Sequence, residues 1–171
     1  MQGRRYEGGF SFIEVLIAIV LVGIAIASLI AANSSFTKTN AAGTELSTAE
    51  FLLEQIKELT VVLPVVDPNT GMSTFGPEAG ETTLADYDDL DDFDGAVFSP
   101  PINNYKATLN DFAAYTQQIT VENVSATNFE QVVADHDSAN PQYFFRVTVK
   151  VFYGSKQVVS ADWVRASYEE P

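Results

Sequence analysis

The chain has 171 residues, no cysteine and a formal net charge of −14 at pH 7. The absence of cysteine excludes disulfide bonds, thiolate metal sites and lipoprotein acylation. The excess of acids argues against direct binding to nucleic acid, because phosphate contacts require clustered lysine and arginine.

An apolar stretch runs from Phe10 to Ala32, interrupted only by serines and the carboxylate of Glu14. As a helix it would measure about 34 Å, enough to cross a hydrocarbon core about 30 Å thick. Secretory signal peptides have shorter apolar cores, followed by small residues at the cleavage site. Here the small residues, Gly8 and Gly9, come first. A peptidase that cleaves after Gly9 would therefore leave the membrane helix on the mature protein.

Glu14 is the anomaly in this stretch, since a carboxylate within a membrane segment costs about 2.5–3.5 kcal/mol on insertion scales. Its natural partner is a positive charge that also lies in the apolar layer. Cleavage after Gly9 would create one, the α-ammonium of Phe10, one helical turn before Glu14.

The run from Gly9 to Val15, Gly-Phe-Ser-Phe-Ile-Glu-Val, followed by a long apolar helix, resembles the N-terminus of the type IV pilin and pseudopilin family. The resemblance implies that residues 1–9 are a leader and that a prepilin peptidase cleaves between Gly9 and Phe10. It further implies that the same enzyme N-methylates Phe10, and that Glu14 registers each subunit against its neighbour in a filament. The alternative is an ordinary signal anchor with a stray glutamate near its cytoplasmic end.

The leader arginines, Arg4 and Arg5, place the N-terminus in the cytoplasm by the positive-inside rule. The acidic remainder then lies across the membrane. We therefore expect a single-pass protein of a bacterial inner membrane with a periplasmic head, which later enters a filament.

The helix is predicted to continue beyond Ala32 and to end before Pro64, over about 50 residues and roughly 75 Å. Residues 10–32 form its transmembrane and assembly half, and residues 33–60 its amphipathic half. Apolar residues at spacings of three and four mark the buried face of the second half. They are Leu46, Ala49, Leu53, Ile56 and Leu59.

Residues 61–110 are predicted to form an irregular acidic connection, with most of its acids between Asp86 and Asp94. One interpretation is a solvated acidic turn, which apolar residues at i, i+3 spacing pin to the head: Leu84, Tyr87, Leu90 and Phe93. The other is a Ca²⁺ site, since clustered carboxylates suit a hard cation. Its candidate ligands are Asp88, Asp91, Asp92 and Asp94. Their spacing does not fit an EF-hand, but the resemblance allows a loop calcium, which some major pseudopilins carry. No other cofactor is expected.

Residues 111–171 are predicted to form the antiparallel β-sheet of the head. Alternating apolar residues indicate strands at Tyr143–Tyr153 and Gln157–Ala166, with a third at about Tyr115–Val124. A three-residue hairpin loop, or a bulge of equal effect, would pair Val151 with Val159 and align the two apolar faces. The fold is therefore predicted to be α+β and pilin-like, with the amphipathic half of the helix packed on this small sheet.

No catalytic residue is predicted, and the protein is not expected to be an enzyme. The single histidine, His136, lies between two aspartates in a polar stretch and is predicted to be a surface loop residue. No nucleophile motif, phosphate-binding loop or metal-binding histidine spacing is present. Trp163 is predicted to belong to the core.

The function expected from the resemblance is that of a minor pilin, or of a minor pseudopilin of type II secretion, most like pseudopilin I. Its partners would be prepilin peptidase, other pilins or pseudopilins, the inner-membrane assembly platform and membrane lipid. Two alternatives remain open: a signal-anchored periplasmic binding or adhesion protein that does not polymerise, and a pilus-tip adhesin. The sequence does not distinguish a secretion pseudopilus from a motility, adhesion or DNA-uptake pilus.

Overall fold

The computed structural model describes residues 8–167, so the leader arginines lie outside the described residues. Helix α1 spans Phe12–Val62, and a small antiparallel sheet follows it in the chain. The predicted end of the helix before Pro64 is confirmed. The helix ends there because a proline lacks the N–H that would continue the hydrogen-bond ladder. The α+β, pilin-like layout is likewise confirmed.

The chain forms two compact units, which divide between Thr44 and Glu45. In the first, every residue from Gly8 to Thr44 is exposed. Helix α1 is long and apolar enough near the N-terminus to cross a membrane, judged by length and composition. An apolar surface of this extent is stable only against lipid or other apolar helices.

The second unit contains a five-stranded sheet. Its strands are β1 (Val97–Phe98), β2 (Tyr115–Ser125), β3 (Asn128–Val132), β4 (Phe144–Tyr153) and β5 (Lys156–Ala166). The order is β1-β2-β4-β5, with β3 paired to the end of β2, and all neighbours are antiparallel. The three long strands match the predicted ones. The short strands β1 and β3 were not predicted, because neither shows a buried and exposed alternation.

The register of the β4–β5 hairpin is the predicted one. Val151 pairs with Val159 and Val149 with Ala161. The turn itself is two residues long, Gly154-Ser155, and a bulge restores the alignment after Val151. Gly154 has φ +58°, a left-handed conformation that glycine adopts without steric cost. The bulge therefore keeps the apolar faces of both strands on the same side of the sheet.

The core lies between the C-terminal part of α1 and one face of the sheet. The helix contributes Ala49, Leu52, Leu53, Ile56 and Leu59, and the sheet contributes Ile119, Val121, Phe145, Val147, Val149 and Val151. Four of the five predicted helix positions are thus buried. Leu46 is the exception at 42% exposure, so the apolar face of the helix is covered only from Ala49 onward.

Side chains of the sheet bind backbone groups at and near the C-terminal part of the helix, Gln117 and Arg165 among them. The buried amide of Gln117 donates to the carbonyl of Leu52 at 2.8 Å, and the same side chain binds both backbone groups of Ile102. The guanidinium of Arg165 donates to the carbonyls of Thr60 and Leu63, where the helix ends. These bonds satisfy polar groups that burial removes from water.

Candidate functional site

Helix α1 begins with a capping box formed by Ser11 and Glu14. The backbone N–H of Ser11 donates to Oε2 of Glu14 at 3.0 Å, and the N–H of Glu14 donates to Oγ of Ser11 at 3.3 Å. Each side chain thereby satisfies one of the N–H groups that a helix N-terminus leaves unpaired. The Ser-x-x-Glu spacing that produces this box is visible in the sequence, although the cap was not among the predicted features.

The predicted cleavage residues lie just before this cap, and the predicted assembly residue, Glu14, is part of it. Gly9 and Phe10 precede the first helical residue, and Phe10 is 86% exposed. Gly8, Gly9, Phe10 and Glu14 line a pocket of about 170 Å³. The bond between Gly9 and Phe10 is therefore in exposed, non-helical backbone, which is the conformation that a peptidase requires. The carboxylate of Glu14 lines the same small pocket as this bond.

A second, apolar groove continues along the same helix from this pocket. It has a volume of about 620 Å³, and Phe10, Glu14, Ile17 and Leu21 are among its lining residues. Among residues 8–167, Glu14 is the only charged residue that lines it. An apolar groove with one carboxylate suits an apolar helix that brings one positive charge.

The four predicted calcium ligands in the head do not converge on one point. Asp94 is exposed, and its Oδ1 accepts a hydrogen bond from the N–H of Val121 at 2.8 Å. Asp91 is buried, and its Oδ2 accepts from the N–H of Gly76 at 3.1 Å. The side chain of Asp94 is therefore bonded to strand β2, and that of Asp91 to the loop around Gly76.

Asp88 and Asp92 do come together, and they are joined by Glu81, which was not among the predicted ligands. Carboxylate oxygens of Glu81, Asp88 and Asp92 lie within 4.8 Å of one another. A second group at the same spacing consists of Asp67, Glu78 and Glu81, so Glu81 belongs to both. Sequence spacing does not reveal these groups, because the residues come from irregular backbone without a repeat.

The prediction of a solvated acidic turn is wrong in one respect. Leu90 and Phe93 are buried as predicted, but so are Asp89, Asp91 and Asp92. A single turn of 3₁₀ helix, Asp91–Phe93, places the acids inside together with the apolar residues. Burial is the main cause that raises the pKa of Asp92 to about 6 and of Asp89 to about 9.

His136 is not a surface residue, as the sequence predicted, but is 2% exposed. Its ring lies edge-on to Phe75 and Phe145, and Nε2 is 2.9 Å from the carbonyl oxygen of Thr74. Nε2 also lies 3.6 Å from the carboxylate of Asp91. The polar residues next to His136 in the sequence indicated an exposed side chain, whereas its burial depends on residues far away in the chain. Trp163 packs against the core, as predicted.

Residues 4–30 match the prokaryotic N-terminal methylation motif. No curated protein and no solved structure matches the chain. The matched segment holds Gly9, Phe10, Glu14 and most of the apolar stretch, and the resemblance of this segment to type IV pilins is confirmed. The motif is that of type IV pilin-like substrates of prepilin peptidase.

Proposed function

We propose that the chain is a structural subunit, a minor pilin or minor pseudopilin, of a bacterial type IV pilus or type II secretion pseudopilus. Prepilin peptidase cleaves it between Gly9 and Phe10 and methylates the new terminus. The mature protein then assembles with other pilins through helix α1. The observation that carries the proposal is the exposed Gly9–Phe10 bond directly before a capped apolar helix, within a methylation motif.

Cleavage would change the electrostatics around Glu14. In the uncleaved chain its carboxylate accepts hydrogen bonds from the N–H and the hydroxyl of Ser11. Cleavage adds the α-ammonium of Phe10, next to this cap. Two opposite charges in a medium of low dielectric attract strongly, whereas an unpaired one is costly. An ammonium of one subunit and Glu14 of its neighbour would therefore register two helices against each other.

The apolar surface of α1 supplies the rest of the assembly interface. Large apolar side chains from Phe12 to Ile30 are exposed on all sides of the helix. Lipid covers such a surface in the inner membrane, and neighbouring pilin helices cover it in a filament. In this scheme the assembly platform moves the helix from the first environment to the second, with the head on the periplasmic side.

Mass spectrometry of the N-terminal peptide tests the proposal. The full chain is expressed in a bacterial host with and without a prepilin peptidase, and the N-terminal peptide is sequenced. We expect an N-methylated Phe10 at the terminus only when the peptidase is present. An intact Met1 or Arg4 in its presence would contradict the proposal and favour the signal-anchored alternative.

A further inference from the structure

We propose that a groove at the C-terminal end of helix α1 binds a short basic segment of a partner protein, with one apolar side chain of that segment as its anchor. The groove lies within the head, and the proposal does not depend on the assembly function proposed above. Its basis is a preformed apolar surface with one carboxylate among the described residues that line it.

The groove has a volume of about 500 Å³ and is mostly apolar. One wall is formed by the last turn of α1 with Val61 and Val62, followed by Leu63. The other wall is the turn at residues 103–107, which contributes Asn104 and Tyr105. Because pockets that bind small ligands measure about 300–1,000 Å³, the groove has room for a few side chains of a partner.

The groove presents large apolar side chains to solvent. Val61 is 57% exposed, Val62 is 84% exposed, and Tyr105 is 82% exposed. Single exposed apolar residues are normal on a protein surface, but a group of them on one concave surface marks a binding site. Tyrosine is enriched among the residues that contribute most to protein interfaces, because its large ring loses little conformational entropy on binding. We therefore take Tyr105 as the main contact residue.

The turn is held in place without a ligand. Oδ1 of Asn103 accepts from the N–H groups of Tyr105 and Ala107, each at 2.9 Å. The turn is also bonded to the helix, since Nδ2 of Asn104 donates to Oε2 of Glu58 at 2.9 Å. Both walls of the groove are thus fixed relative to one another, which lowers the ordering cost that binding would otherwise carry.

The charge of the groove indicates the occupant. Glu58 is the only charged residue among the described ones that line it, and no lysine or arginine of residues 8–167 forms an ion pair with it. Lys57 pairs with Glu54 at 3.5 Å, and Lys106 donates to the carbonyl of Tyr87. The last turn of α1 contains no basic residue, although a helix C-terminus carries a partial negative charge. A cation from a partner would therefore be attracted to this position.

A second copy of the head is a poor occupant. Residues 45–167 contain nineteen acids and only six lysines and arginines, so two heads repel one another. Arg165 lies at this end of the helix, but it already donates to the carbonyls of Thr60 and Leu63. A basic segment of another protein, with a lysine or arginine beside Glu58 and an apolar side chain against Tyr105, matches both the charge and the surface.

Fluorescence anisotropy and methyl NMR test the groove on the full chain in nanodiscs. Nanodiscs of zwitterionic phosphatidylcholine are used because detergent monomers would compete for an apolar groove, and empty nanodiscs give the background. The probe is the fluorescein-labelled peptide Lys-Leu-Lys-Leu-Lys, and the control peptide is Glu-Leu-Glu-Leu-Glu. We expect saturable binding of the basic peptide alone, with Kd on the order of 10⁻⁴ M, and shifts of the methyl resonances of Val61 and Val62.

Two variants separate the anchor from the charge. Tyr105→Ser removes the ring, and Glu58→Gln removes the charge but keeps an oxygen for Asn104. Each should weaken binding of the basic peptide by about fivefold or more. The matched controls are Tyr143→Ser, at a tyrosine of the head that is 42% exposed outside the groove, and Asp111→Asn, at an exposed acid elsewhere in the head. Both controls should leave the Kd unchanged.

The unsubstituted chain can overturn the proposal alone, whether or not the variants fold. Binding that does not saturate, or unchanged methyl resonances of Val61 and Val62, would do so. Equal weakening by Glu58→Gln and Asp111→Asn would also overturn it, because that result describes a diffuse attraction to an acidic head.

Two further outcomes would assign the groove to a different occupant and so contradict the proposal. Self-association of the full chain in sedimentation experiments, abolished by Tyr105→Ser, would assign the groove to a second copy. Nuclear Overhauser effects between Tyr105 and lipid acyl chains would assign it to the membrane. Circular dichroism of each variant shows whether the fold is retained.

Discussion

Ser11 and Glu14 cap one another at the N-terminus of helix α1, with N···O distances of 3.0 and 3.3 Å. Within the part of the chain that the structure describes, the same glutamate is the only charged residue on the apolar groove that begins at Phe10. Glu14 therefore has two separable roles: its oxygen caps the helix, and its charge can pair with a cleaved terminus. Substitutions that remove one role and keep the other can distinguish them.

Glu14→Gln keeps an oxygen that can accept from Ser11 and loses the charge, whereas Glu14→Ala loses both. We expect both variants to insert into the membrane and both to be depleted at least tenfold from filaments, because assembly requires the charge. Ser11→Ala should cost about 1 kcal/mol of capping energy and assemble nearly normally. Immunoblots of sheared filaments and of membrane fractions measure how much of each variant is assembled and how much is inserted in the membrane. Normal incorporation of Glu14→Gln would show that capping, rather than charge, is what matters.

Gly8 and Gly9 offer a matched pair for the cleavage reaction. A Cβ built on either glycine meets no other atom within 4 Å, so packing in this structure does not require glycine at either position. We expect Gly9→Val to abolish cleavage, because the peptidase must accommodate the residue before the scissile bond, and Gly8→Val to be processed. The molecular mass of the membrane-extracted protein distinguishes the two forms. Efficient cleavage of Gly9→Val would place the processing site elsewhere.

Gln117 is expected to stabilise the packing of the helix on the sheet. Replacement by methionine would leave the N–H of Ile102 and the carbonyl of Leu52 without their side-chain partner. Each such buried group costs about 1–3 kcal/mol, so Gln117→Met should lower the free energy of unfolding by about 3 kcal/mol. Gln118, the exposed neighbour of Gln117 on the same strand, is the control. Gln118→Met should change the free energy of unfolding by less than about 0.5 kcal/mol. Urea unfolding in detergent measures both, and equal effects would refute the role of Gln117.

The buried acids predict an unusual pH dependence in the absence of Ca²⁺. Burial, and then Asp91 and Asp92, raise the pKa of Asp89 from 3.8 to about 9. Between these values the folded state holds a proton that the unfolded state has lost, so stability falls as the pH rises. With EDTA present, the free energy of unfolding should be lower at pH 8 than at pH 5.

Asp89→Asn should reduce this slope, since the asparagine does not ionise but keeps an oxygen for the N–H of Asp92. Asp111→Asn should retain the wild-type slope. Urea unfolding at several pH values between 5 and 8 measures the difference. Stability that rises with pH across this range would contradict the burial of a protonated Asp89.

Much of the head followed from local pattern. The alternation along β4 and β5 required Val151 to face Val159, and the structure satisfies this with a bulge after a two-residue turn. Strand β3 was not predicted, because all five of its residues are exposed and its sequence therefore shows no alternation of buried and exposed residues. Leu46 was assigned to the buried face by its spacing, but the spacing does not show where the sheet ends.

The sequence by itself determined the methylation motif and the apolar helix, because Gly9, Phe10 and Glu14 are close together in the chain and the apolar helix follows from composition alone. Only the tertiary structure decided the surroundings of His136 and of the acids. In the folded chain His136 is buried against Phe75 and Phe145. Asp94 accepts a hydrogen bond from strand β2, and Glu81 lies close to Asp88 and Asp92. The reason is physical: an irregular connection has no periodicity, so its contacts depend on which distant residues cover it.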